Sequence, residues 1–161
     1  VNTVFYRKIV TASVSGTIFV FLLGIAMPNP FGDENIVSYQ NYFYSSISIM
    51  PIYMLYSFPC ILTYGVITSM ISDKIGQLLL KKTDEVNIEI IVSGALHLIF
   101  GLVLFWFSLV ASILFFIIDR LFKKVKNDYG WKDAFRSLVI PTLMWLFLMG
   151  VVWANDILLI L

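Results

Sequence analysis

A chain of 161 residues that is 60% hydrophobic, 16% aromatic and only 13% charged, with a mean hydropathy of +0.91, is far from the soluble average, where about a quarter of residues are charged. A water-soluble domain of this length could not hide so much apolar surface, so the composition excludes an ordinary soluble fold and points to lipid as the solvent. The net charge of +1 says little, but its distribution does: apart from His97, the acidic and basic side chains lie in or at the edges of four connecting or terminal segments.

Four apolar runs follow in chain order. The first, Ile9 to Met27, is preceded by Arg7 and Lys8 and followed by Pro28-Asn29-Pro30, the pattern of an uncleaved signal-anchor. Gly24 and Ala26 form a small-x-small pair, but the run is long for a cleaved signal, so it is expected to stay. Ala12 and Gly16, with Ser13 and Thr17, give it a small-residue face suited to close helix contact, within the chain or in a homo-oligomer. Residues 28–44 hold two acids and no base and close on Tyr39, Tyr42, Phe43 and Tyr44, rings that suit a headgroup zone.

The second run, Ser45 to Ile71, contains Pro51 and Pro59. Each removes a backbone donor, so a kink is expected whose freed carbonyls must find hydroxyls or neighbouring helices. Tyr53, Tyr56, Ser57, Cys60, Tyr64 and Thr68 recur at three- and four-residue steps as one stripe. A stripe of this kind can line a polar path, or it can bond across helices for ~0.6 kcal/mol per contact; with no charge on it, the bonding role is expected. Cys60 is the only cysteine, which rules out an intrachain disulfide or a cysteine metal site.

The third run, Ile88 to Ile118, would be about 46 Å long as one helix at ~1.5 Å per residue, against a hydrocarbon core of ~30 Å. It lies between residues 72–87, with Lys74, Lys81 and Lys82, and residues 119–136, with Arg120, Lys123, Lys124, Lys126, Lys132 and Arg136. Four spans with a cytoplasmic N-terminus put five bases on one side and six on the other, so the positive-inside rule does not choose an orientation. A re-entrant hairpin in the third run would gather all eleven bases on one side, and insertion in both orientations would also fit an even split. The hairpin needs an irregular turn inside the membrane, and the run has no Pro, Asn or Asp and only isolated Gly94 and Gly101. A single helix is therefore expected, crossing near residues 95–117, with residues 88–94 protruding as an interfacial stub.

The fourth run, Ser137 to Leu161, carries Pro141 in its first turn, where a missing amide proton matters little. The expected fold is one all-α domain over residues 1–161, an integral membrane four-helix bundle. Its spans are about 9–27, 45–71, 95–117 and 138–158, and its third helix is over-long with an extramembrane extension. In residues 119–136, Leu121, Phe122, Val125 and Tyr129 fall opposite the lysines, which predicts a basic amphipathic connector able to meet anionic headgroups. A plain continuation of the third helix into water fits the same residues.

His97 has no second histidine or nearby cysteine to form a metal site, so it is expected near a headgroup boundary, hydrogen-bonded to Ser93. Asp156, about 30 Å along the helix from Arg136, is expected at the opposite interface; a shift of register would make it an intramembrane acid. The candidate functional residues are thus His97, Asp156, Tyr53, Ser57, Cys60 and Tyr64. No triad, zinc motif or phosphate loop occurs, so neither an enzyme, a cofactor, a metal nor nucleic-acid binding is expected.

LTYGVITSMISDKIG, Leu62 to Gly76, with the spacing of the runs, resembles small, uncharacterised multi-pass membrane proteins of Gram-positive bacteria. That resemblance implies a bacterial cell (plasma) membrane location and brings no active residues with it. Two functions fit the residues. One is a non-enzymatic accessory or protective protein acting through helix contacts with another membrane protein or an incoming peptide. The other is an oligomeric small-solute or proton-coupled transporter, suggested by a charge balance that resembles small dual-topology multidrug exporters. Those exporters use an acid inside the first span, and Ile9 to Met27 has none.

Overall fold

The computed structural model describes residues 2–32, 38–83, 86–103, 105–126 and 128–160, and every regular element among them is helical. The helices are α1 (Asn2–Ala26), α2 (Tyr39–Cys60), α3 (Val66–Thr83), α4 (Val86–Leu102), α5 (Phe105–Val125), α6 (Trp131–Ser137) and α7 (Val139–Ile160). Four stretches are long and apolar enough to cross a membrane: Asn2–Ala26, Tyr39–Lys81, Phe105–Val125 and Trp131–Leu158.

Local chemistry sets the breaks. α1 stops at Ala26, just ahead of Pro28, because the residue before a proline is pushed out of helical geometry. α2 starts where the Ser38 hydroxyl accepts from the Asn41 amide at 3.2 Å, an N-cap that serves one of the orphan donors. After Pro59 the backbone widens into a π-turn over Ile61–Gly65, and the Thr63 hydroxyl donates to the Pro59 carbonyl at 2.8 Å. The second run thus survives both prolines and continues into α3. α6 begins where the Asp133 carboxylate accepts from the Gly130 amide at 2.9 Å, while Lys126 holds the same carboxylate at 2.7 Å.

The third run is not one helix, and this corrects the expected span at 95–117. α4 runs antiparallel to α3, with Glu89 beside Gly76, His97 beside Ser69 and Phe100 beside Tyr64. α5 then runs antiparallel to α4, with Ser112 at the His97 carbonyl and Lys123 at Glu89. The two form a hairpin whose open end lies where α1 begins. The turn chemistry that the sequence lacked is supplied from elsewhere. The Tyr64 hydroxyl donates to the Phe100 carbonyl at 3.0 Å, and the Ser112 hydroxyl donates to the His97 carbonyl, so two backbone acceptors near the tip are satisfied by side chains. Phe105 takes a left-handed backbone (φ 67°), a strain of about 1–2 kcal/mol for a residue of its bulk. Gly101 permits the close approach: a Cβ there would lie 2.9 Å from the Ser112 Cβ and 3.1 Å from the Leu109 Cα.

Two further expectations fall with the single helix. Residues 88–94 are no protruding stub, since Ser93 is fully buried and Gly94 packs on the Phe116 ring. Residues 119–136 are no single amphipathic helix either. α5 continues to Val125 and α6 starts anew at Trp131, with Tyr129 tucked in between and its hydroxyl on the Phe122 carbonyl at 3.1 Å.

α1 lies at the centre. Its small-residue face is used inside the chain: Gly16 faces Phe58, Gly24 faces Met50, and the Ser13 hydroxyl meets Ser137 at 3.1 Å. One apolar cluster joins Ala12 and Phe19 to Ile61, Val66, Ala111 and Phe115; a second joins Val20 to Met50, Met54 and Leu148.

Glycine substitutions test the close approaches. Gly101→Leu, and Gly76→Leu beside the Glu89 backbone, are expected to lower stability by about 1–3 kcal/mol each through overpacking. Gly150→Ala, whose Cβ meets nothing within 4 Å, is expected to raise it by about 0.5–1 kcal/mol. Thermal unfolding of the purified variants in detergent checks both signs.

Candidate functional site

The sequence puts Lys8 nearly two turns into α1, Ser69 and Asp73 four residues apart on α3, Ser93 and His97 four residues apart on α4, and Asp119 in the second half of α5. Helical spacing of four places each pair on one face, and the antiparallel packing brings those faces together. The Lys8 ammonium is fully buried, 2.6 Å from Asp73 Oδ2, 2.8 Å from Asp119 Oδ2 and 2.7 Å from the Ser69 hydroxyl. Three acceptors for three ammonium protons leave no donor unmatched. Arg7 braces Asp119 from outside (Nε to Oδ1, 3.0 Å), and Arg120 braces Asp73 (Nη2 to Oδ1, 3.0 Å). The Ser93 hydroxyl also donates to Asp73 Oδ1, at 2.8 Å. At the margin, Glu89 sits 3.5 Å from Arg120 and 3.0 Å from the half-exposed Lys123. Arg7, Lys8 and Arg120 thus balance Asp73, Asp119 and Glu89, and four helices are tied through one group of charges.

His97 extends this network upward. Its Nδ1 lies 2.7 Å from the Ser93 carbonyl, which can only accept, so Nδ1 carries the proton. In the neutral imidazole Nε2 is then the acceptor, 3.0 Å from the Ser69 hydroxyl. Ser69 therefore accepts from Lys8 and donates to His97. The histidine is buried, and both ring nitrogens are committed. Counted from Glu89 along α4 it stands about 12 Å inward, directly on the Ser69 hydroxyl that Lys8 also holds. Ser93 is its partner as expected, but through the carbonyl and not the hydroxyl.

Above His97 lies a cavity of about 230 Å³, between α2, the π-turn and the hairpin. Ser57, Cys60 and Tyr64 form one wall, with Ser108 and Ser112 of α5 opposite and His97 at the base. Four of the six sequence candidates, His97, Ser57, Cys60 and Tyr64, are therefore brought to one place. Tyr53 is not among them: its hydroxyl donates to the Met27 carbonyl at 2.9 Å, just past the end of α1. Asp156 is exposed at that same end, accepting from the Tyr44 hydroxyl at 3.2 Å, so it is no interior acid. Among the described residues no three of His, Cys, Asp and Glu converge as a metal site.

Sequence patterning alone does not single out Lys8, Ser69, Asp73 or Asp119, because each charged member falls in a flank or a connecting segment. A signal is nonetheless present: one base at the entry of the first run and an acid at the boundary of the second and third, all at comparable depth once the third run folds back. No family model, curated protein or solved structure matches the chain.

Lys8→Met leaves two buried carboxylates short of a counter-ion and is expected to destabilise the protein by about 3–5 kcal/mol. Lys8→Met combined with Asp119→Leu removes one charge of each sign and is expected to recover a large part of that loss. Thermal unfolding in detergent reads both; a double variant no better than the single one would contradict the pairing.

Proposed function

We propose that this is a non-enzymatic, multi-pass protein of a cell membrane that takes a small lipophilic molecule into the cavity between α2 and the hairpin. Support for the membrane comes from the outer surface, which carries Leu55, Ile67, Leu98, Val103, Phe147 and Leu158 more than 40% exposed, an inversion that water would penalise. Three stretches cross: α1, the continuous α2–π-turn–α3, and α6–α7. The α4–α5 hairpin enters and returns, its tip level with the π-turn. Although α5 alone is long enough to span, its antiparallel pairing with α4 sends both ends of the hairpin to the same side, whatever depth the tip reaches.

This arrangement resolves the charge count. Arg7, Lys8 and both basic segments, eleven bases in all, fall at one end of the bundle. The positive-inside rule then makes that end cytoplasmic, with the N-terminus, and α7 runs towards the opposite side. The basic end also offers exposed Lys74, Lys81, Lys124 and Lys132 to anionic headgroups, at about 1 kcal/mol per base near the surface.

The observation that carries the function is the fate of the two faces marked in the sequence. The small-residue face of α1, which suited a partner helix, is consumed within the chain, whereas the hydroxyl and thiol stripe of α2 opens on a cavity. An accessory or protective role through another membrane protein is the second reading, favoured by the hairpin tip, where Phe105 and Trp106 are 79% and 75% exposed.

Reporter fusions after Lys81 and Lys132 are expected to read cytoplasmic, and fusions after Tyr44 and Leu158 to read external. Opposite signals from the Lys81 and Lys132 fusions would refute the hairpin. For the cavity, naphthalene is expected to slow alkylation of Cys60 by N-ethylmaleimide in a saturable way in the detergent-solubilised protein, and filling the space with Ser57→Phe is expected to abolish that protection.

A further inference from the structure

The cavity's lining narrows the class of molecule it takes, an inference that rests on the cavity reading above and sharpens it. We propose that its ligand is an uncharged molecule with a ring system of up to two fused rings and one hydroxyl or carbonyl group, held by the hydroxyls of Ser57 and Ser108.

Size comes first. An apolar protein cavity of about 150 Å³ accommodates benzene, so the roughly 230 Å³ here suits a bicyclic molecule and is too small for a whole lipid tail. Shape follows from the walls. Phe19, Phe100, Phe107 and Phe115 contribute ring faces and edges, surfaces that favour a flat, ring-containing guest through offset and edge-on contacts.

Polarity is set by two hydroxyls of the lining, those of Ser57 and Ser108. A serine or threonine within a helix ordinarily bonds back to the carbonyl one turn earlier. Thr11, Ser13, Thr17, Ser46, Thr63, Thr68, Ser72 and Thr142 all do so. Around the cavity, Tyr64, Thr68 and Ser112 likewise give their protons to backbone carbonyls. Ser57 and Ser108 also line the cavity with hydroxyls that make no hydrogen bond among the described residues; the third such hydroxyl, that of Tyr56, belongs to a side chain 71% exposed on the outer surface. Half-buried in an apolar space with donor and acceptor unused, the two serines match a guest with one polar group, the usual pattern of a small-molecule site.

Charge is excluded by the same lining, which contains no Asp, Glu, Lys or Arg. The nearest ions, Lys8, Asp73 and Asp119, are bonded to one another beneath His97 and Ser69, and His97 has no free nitrogen to turn towards a guest. An ionised guest would lose its hydration without gaining a counter-ion, which a buried charge does not tolerate.

Cys60, the only cysteine, lines the cavity and is exposed, so it reports occupancy without engineering. The test is the rate of its alkylation by N-ethylmaleimide in the full chain in detergent, titrated with naphthalene, 1-naphthol or 1-naphthoate. Protection by 1-naphthol is expected at about three- to tenfold lower concentration than by naphthalene, the range of about one net hydrogen bond. The double variant Ser57→Ala/Ser108→Ala, too conservative to disturb the fold, is expected to erase that preference while keeping protection by naphthalene. Equal protection by naphthalene and 1-naphthol in the native chain would overturn the polar ligand class and leave the cavity reading standing. Protection by 1-naphthoate as strong as by 1-naphthol would overturn the uncharged class. Protection produced by adding phospholipid alone would assign the space to an acyl chain and overturn the proposal. No protection by any probe would overturn both the proposal and the cavity reading.

Discussion

The rest of the structure depends on one ammonium group. Lys8 is fully enclosed by Asp73, Asp119 and Ser69, and those three residues come from the two helices that flank α1 on either side. An unpaired charge in such surroundings is prohibitively expensive, so the three helices have one register in which all of these groups are satisfied. Apolar contacts between helices in a lipid-like setting are nearly indifferent to sliding, because the competing environment is equally apolar. Polar contacts are not. The ion network therefore acts as the registration device of the bundle, and Arg7 and Arg120 complete the coordination of the carboxylates that Lys8 bridges.

Registration has a consequence for shape. Asp119 on α5 and Asp73 on α3 must both reach Lys8, and Glu89 on α4 must reach Arg120, so the two ends of the hairpin are pinned at one level. The hairpin can extend only as far as its own length allows. Between Phe105 and Asp119 the helix rises about 21 Å, against about 27 Å from Lys8 to Ala26 on α1. The tip thus stops short of the far end of α1, beside the π-turn that follows Pro59. The cavity lies in that region, and Tyr64, at the π-turn, caps the Phe100 carbonyl at the tip. A proline in one helix and a short hairpin in its neighbour together produce a space that neither would make alone.

Much of this is legible in the sequence and some is not, for definite reasons. The helical class, the four apolar runs, the proline-induced irregularity and the stripe from Tyr53 to Thr68 all follow from periodicity and composition, which are local properties. The hairpin is hidden because its turn is satisfied from a distance: the Tyr64 hydroxyl lies on another helix, and a strained Phe105 stands where glycine, asparagine or proline would have announced a turn. The split of five bases against six is compatible with the hairpin, which gathers all eleven at one end of the bundle. Asp73 and Asp119 look like loop acids because nothing local distinguishes a carboxylate that ends in water from one that ends against a lysine from another helix. His97 stands out in the sequence as an isolated ionisable residue, but its partner Ser69 lies on another helix and is reached only once the third run folds back.

The register of the bundle requires Lys8 to lie between two carboxylates. Dipolar-recoupling solid-state NMR between a ¹⁵N-labelled lysine side chain and ¹³C-labelled aspartate carboxyl groups, with Lys8 assigned by its loss in Lys8→Met, measures this contact directly. Strong dephasing of the Lys8 nitrogen by two nearby carboxyl carbons, with no exchange with water, is the expected result. A Lys8 nitrogen that shows no coupling to an aspartate carboxyl and exchanges freely with water would contradict it.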